Sequence, residues 1–116
     1  MCATKVVFSG MFSLRDDVTE EEFIPAFRAF YDHLIAAGYA TGYRLLRKEA
    51  MDGFGEKLIP FTYQAELDFP DLATDDACYG YVQTRQEPMH SLHVAMRHMV
   101  ARGSADFFRT TCITAR

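Results

Sequence analysis

Residues Phe61-Thr62-Tyr63-Gln64-Ala65-Glu66-Leu67-Asp68-Phe69 alternate between apolar and polar side chains without a break. Successive strand residues face opposite sides, so the stretch predicts a strand. Phe61, Tyr63, Ala65, Leu67 and Phe69 form one face, and Thr62, Gln64, Glu66 and Asp68 the other. The apolar face needs a cover, which amphipathic helices elsewhere in the chain can supply. The functional question is what lies over the polar face: water, a ligand cavity or another subunit.

Upstream, residues 41–49 predict a strand with Tyr43, Leu45 and Arg47 opposed to Arg44, Leu46 and Lys48. Its charged ends suit a sheet edge. Residues 52–55, Asp-Gly-Phe-Gly, predict the hairpin tip between these two strands. Pro60, which cannot donate to a ladder, falls in the returning arm. Residues 5–14 predict the first strand, with Val6, Phe8, Gly10, Phe12 and Leu14 on one side and Val7, Ser9, Met11 and Ser13 on the other. Between these strands, Thr19-Glu20-Glu21-Glu22 reads as a capping box opening a helix to about residue 37. Phe23, Phe27, Phe30, Tyr31, Leu34 and Ile35 form its apolar stripe, and Gly38 its stop. Pro25 cannot donate to the carbonyl of Glu21, which predicts a distorted first turn or a later start.

Downstream, Asp71 or Thr74 can cap a helix to about Gln86. Pro88 suits the start of another, with Met89, Leu92, His93, Met96, Met99 and Val100 as its apolar set and Gly103 as its stop. Residues 107–114 predict the last strand. The order strand, helix, strand, strand, helix pair, strand gives a ferredoxin-like α+β domain over residues 1–116. Its four-stranded antiparallel sheet carries helices on one face, with the first and third strands central.

Apolar residues make up 49% of the 116-residue chain and charged residues 24%, a globular balance. The net charge of −4 argues against nucleic-acid binding, which needs a basic footprint. No stretch suits a signal peptide or a membrane span, and Cys2, Cys78 and Cys112 form no Cys-x-x-Cys pair. These features indicate a cytoplasmic protein without disulfide framework, metal site or bound cofactor.

The helix-free face carries Val7, Ser9, Met11, Gln64 and Glu66. Register decides whether Arg44 or Tyr43, and Arg109 or Thr110, join them. The candidate ligand pocket here is Ser9, Met11, Gln64, Glu66, Arg44 and Arg109. Such a mixed surface predicts a homodimer in which two sheets close over each other. Closure would bury Glu66, which then needs Arg44 or Arg109 as a partner. A carboxylate so placed can serve as a general base or as half of a structural ion pair.

His90 and His93, one helical turn apart, are the other catalytic candidates beside Glu66. His93 falls within the apolar stripe and His90 at its edge, in the first turn. Each can pack structurally, line a cavity or exchange a proton. No third ligand stands at a recognisable metal spacing. Tyr31, Tyr43 and Tyr63 can line a pocket or pack with satisfied hydroxyls, and Cys112 reads as an inert buried thiol. No nucleophile–base pair is evident.

The run Tyr81-Val82-Gln83-Thr84-Arg85-Gln86-Glu87-Pro88-Met89-His90, together with the element order, resembles the dimeric α+β barrel proteins. The nearest resemblance is to the stress-responsive A/B barrel type, in which a Tyr precedes a Pro-x-His turn; His90 is the matching histidine. The resemblance implies a homodimer. It also implies either a stress-related small-molecule binder without catalysis, or a cofactor-independent monooxygenase or isomerase. The latter would act on a small aromatic or polyketide-like compound in the barrel. The absence of a nucleophile–base pair favours the binder.

Overall fold

A computed structural model describes residues 5–51 and 60–114. The predicted hairpin tip at residues 52–55, and Cys2, lie outside the described residues. The elements are β1 (Val6–Phe12), α1 (Glu20–Ala36), β2 (Gly42–Arg47), β3 (Tyr63–Phe69), α2 (Leu72–Gln83), α3 (Met89–Arg97) and β4 (Asp106–Thr111). The sheet is antiparallel in the order β2-β3-β1-β4. The expected central and edge strands are therefore those observed, and the fold is ferredoxin-like α+β.

Register assigns the two faces. Phe8 pairs with Leu67 on one side and Arg109 on the other, and Leu67 pairs with Tyr43. These residues share the helix-covered face. Ser9 pairs with Glu66 and Phe108, and Glu66 pairs with Arg44, so these define the open face. Of the alternatives the sequence left, Arg44 and Thr110 take the open face. Arg109 turns to the helices and does not join the expected pocket. Strand period 2 leaves no intermediate position.

Helix α1 begins as its capping box dictates. Thr19 Oγ1 accepts from the Glu22 amide at 3.2 Å, and Glu22 Oε1 accepts from the Thr19 amide at 2.9 Å. Pro25 lies inside the helix without delaying its start. Two tyrosines tie α1 to the sheet. Tyr63 Oη donates to Glu20 at 3.1 Å, and Tyr43 Oη donates to Asp32 at 2.7 Å. Below these ties the rings of Phe12, Phe23, Phe27 and Tyr31 pack in series, with Tyr43 edge-on to the last two. Aromatic pairs of this kind add ~0.5–1.5 kcal/mol each beyond burial.

Helix α2 is capped by Asp71, which accepts from the Thr74 amide at 2.7 Å. Its other fixed point is the sheet edge, where Arg109 Nη1 of β4 meets Asp75 at 3.2 Å and Asp76 at 2.7 Å. Helix α3 packs on α1 and is capped from Glu87, whose carboxylate accepts from the Ser91 amide and hydroxyl, both at 2.9 Å. It ends at Arg97, short of Gly103; Val100 instead bridges to Leu14. Gly103 stands at φ +75 in the turn before β4, a conformation that favours glycine.

Candidate functional site

Gly10 of β1 and Ala65 of β3 are register partners at the middle of the helix-covered face. Neither reaches far toward the helices. Over them lies a cavity of about 340 Å³, bounded by both central strands and all three helices. Phe107 of β4 folds across Gly10, where a Cβ would come within 2.9 Å of its ring, and stacks on Phe8 at 5.7 Å. Phe107 and Tyr79 line the cavity yet remain 61% and 66% exposed, which marks the mouth between α2 and β4.

The walls are mostly phenylalanine and aliphatic side chains, with a few polar groups among them. Tyr31 is 7% exposed and lines the cavity. Its hydroxyl makes no hydrogen bond among the described residues. Burial, then the neighbouring Cys78, holds its pKa well above the usual tyrosine value. Burial and the Asp75 carboxylate push the Cys78 thiol up to about 12. His93 also lines the space, stacks on Phe30 at 4.8 Å and has no hydrogen-bond partner among the described residues. Burial lowers its pKa first, and the charges of Arg97 and His90 add to the effect. At neutral pH the cavity therefore presents a phenol, a thiol and a neutral imidazole. Asp75 is engaged by Arg109. Among the described residues no group of three His, Cys, Asp or Glu is placed to hold a metal ion.

The residues singled out from sequence separate. His93 lines the cavity, whereas His90 does not. His90 stands in the first turn of α3, its amide donating to the Gln86 carbonyl at 2.8 Å. Glu66 lies on the opposite side of the sheet from His93, so the two cannot act together within one chain. It is held by Arg44 Nε at 2.7 Å and Gln64 Nε2 at 2.8 Å. Ser9, Met11, Gln64, Glu66 and Arg44 share the open face, and none of them lines the cavity. Arg44 also forks onto the buried Asp68 through two bonds of 3.1 Å, and Lys5 approaches the same carboxylate at 3.4 Å.

Tyr43 and Tyr63 serve as ties, and only Tyr31 of the three tyrosines lines the cavity. Cys78 was read only as one of three scattered cysteines, and its placement one turn from Asp75 on the inner side of α2 went unread. Their i, i+3 spacing beside the inward Val82 was the available signal. Cys112, expected as an inert buried thiol, is disulfide-bonded. Cysteine spacing in the sequence carries no sign of such a bond.

The lowered pKa of His93 has a signed consequence. Protonation is harder in the folded chain than in the unfolded one. The contribution of His93 to stability is complete above the unfolded value of about 6.5 and is lost as pH falls from there through the folded value. Titration of the His93 ring by NMR should give a midpoint below 6.5, and His93→Phe should flatten the acid loss of stability in that window. A midpoint at or above 6.5 would contradict the buried, unpartnered placement.

No curated protein matches the chain in sequence. Among solved structures it is similar to SnoaB, a cofactor-independent oxygenase from Streptomyces nogalater, with 15% identity, a TM-score of 0.69 and 97% of each chain covered. It is similar to At3g17210 from Arabidopsis thaliana at 9% identity and a TM-score of 0.72, covering 96% of this chain and 98% of that one. A dimeric ferredoxin-like protein of unknown function from Jannaschia aligns at 17% identity and a TM-score of 0.64, covering 93% and 99%. These likenesses concern the fold, which is that of the ferredoxin-like dimeric α+β barrel proteins. A family profile matches residues 6–113, and the chain accordingly belongs to that family, described as a family of unknown function (DUF6614).

Proposed function

We propose that the chain binds a flat, largely apolar small molecule in the cavity between its helices and its sheet. The carrying observation is a ligand-sized, aromatic-lined space in which Tyr31, Cys78 and His93 are neutral and Tyr31 and His93 have no hydrogen-bond partner among the described residues. Pockets of this kind hold their ligands by apolar contact and orient them with a few polar groups. Burying roughly 200 Å² of ligand surface is worth about 5 kcal/mol before ordering costs. The Tyr31 hydroxyl can donate to a carbonyl or accept from a hydroxyl, and the neutral imidazole of His93 offers one donor and one acceptor. A stress-related role rests on the resemblance at Pro88-Met89-His90 alone.

A second reading is catalytic. A neutral His93 with no hydrogen-bond partner among the described residues is the form a general base requires, and it lines the space where a substrate would lie. Taken with the activity of SnoaB, this supports cofactor-independent oxygenation of an acidic aromatic compound, with His93 removing the proton and dioxygen, as co-substrate, oxidising the resulting carbanion. Isomerisation of a small cyclic substrate would draw on the same base. Glu66, across the sheet and ion-paired, has no part in either.

The open face suits a homodimer. Leu46 and Phe108 are 44% and 43% exposed at its two edges, with Val7 and Met11 between them. Pairing two such faces would cover this apolar surface, and the polar network of Arg44, Gln64, Glu66 and Asp68 is already mutually satisfied. No helix among the described residues is long and apolar enough to cross a membrane.

N-phenyl-1-naphthylamine, which fluoresces on entering apolar surroundings, tests the binding reading. Saturable binding of one dye per chain is expected. Val82→Trp, which fills the cavity from α2, should weaken it by at least about tenfold, or roughly 1.4 kcal/mol, without lowering the melting temperature. Absence of saturable binding would sink the proposal. For the dimer, Met11→Glu should give a monomer by light scattering, because pairing would bury an unpaired charge. A variant that stays dimeric rules this interface out.

A further inference from the structure

At the end of α3 the cavity continues into a second depression. Arg97, Val100 and Ala105 line both the cavity and an open groove of about 620 Å³ beyond the end of α3. The groove is also bordered by Arg15, His98 and Arg102. Three arginines and a histidine thus gather at one place on a chain whose net charge is −4.

The ordinary explanation of such cations is the helix dipole, since basic groups favour a helix C-terminus. Arg15 fits that account. It donates to the His98 carbonyl at 3.1 Å and pairs with Asp17 at 2.7 Å. Arg97, in the last turn of α3, suits the dipole by position, whereas Arg102 lies past the helix end. Neither guanidinium bonds a carbonyl or a carboxylate among the described residues. Asp106, the nearest acid along the chain on β4, pairs with Met11 and so turns to the opposite face. Two unengaged guanidinium groups therefore border the route into an apolar cavity.

We infer that the ligand is an amphipathic anion, its apolar body in the cavity and its negatively charged head on Arg97 and Arg102. The inference rests on the binding reading above and narrows its ligand class. Guanidinium forks match the planar oxygens of carboxylates and the oxygens of phosphates, which makes them suited to such a head. The apolar body supplies most of the affinity, and the arginines set its direction of entry.

Two dyes of the same body test this: 1-anilinonaphthalene-8-sulfonate and N-phenyl-1-naphthylamine, which lacks the sulfonate. The chain has no tryptophan to interfere with either. The double substitution Arg97→Gln/Arg102→Gln should weaken the sulfonated dye about tenfold at low ionic strength, as loss of two partly exposed ion pairs implies. The uncharged dye, which meets Arg97 only as part of the cavity wall, should lose far less than the sulfonated one. The preference should also shrink in about 1 M salt, where charges are screened beyond ~3 Å. If the variant binds the sulfonated dye as tightly as the natural chain while the uncharged dye still binds, the anionic head is refuted and the cavity reading survives. Equal weakening of both dyes would refute it too, by showing a structural effect. Failure of both dyes on the natural chain refutes the cavity reading and this inference together.

Discussion

The structure depends on a small pair of residues, Gly10 opposite Ala65, beneath helices that are held away from them. Protein interiors normally close over such a deficit. Here the helical layer is tied at points outside the middle of the sheet. Tyr43 and Tyr63 hold α1 through Asp32 and Glu20 over β2 and β3. Arg109 holds α2 through Asp75 and Asp76 over β4. Bulk at the ends and little at the centre leave a space of about 340 Å³. The large aromatic residues of α1 then become its walls, and Phe107 takes the room over Gly10.

The same sheet divides its polar chemistry between two sides. On the open face the charges are mutually engaged: Arg44 serves both Glu66 and Asp68, and Gln64 completes Glu66. On the helix side Tyr31 and His93 make no hydrogen bond among the described residues, and burial keeps both uncharged. A satisfied network suits a surface meant to pair or persist. Unsatisfied neutral groups at a cavity suit one meant to receive something. The arginines around the end of α3 extend this contrast, since Arg15 is paired while Arg97 and Arg102 bond no carbonyl or carboxylate among the described residues.

Much of the fold was legible because its signals are local. The alternation from Tyr63 to Phe69 and the Thr19–Glu22 box each specify an element within a few residues. The central and edge strands followed from element order. The face taken by Arg109 was not legible, because one residue of register exchanges it with Thr110 and only the pairing to β1 decides. Of the polar candidates of the sequence, Ser9, Gln64, Glu66 and Arg44 lie on the face opposite the cavity. The polar residues of the open face stood out in the sequence, whereas a cavity is a property of what is missing. Gly10 and Ala65 were both visible, but their adjacency needed the register. His93 was recognisable from its place in an apolar stripe, and it is the histidine that lines the cavity. Cys112 was misread since its bond depends on the folded chain.

The most direct measurement is a map of NMR shift changes as N-phenyl-1-naphthylamine is added to isotopically labelled protein. The account predicts saturable changes at Tyr31, Cys78 and His93, with Ser9, Met11, Gln64 and Glu66 unmoved. Changes confined to the latter four would place the ligand on the open face and contradict it.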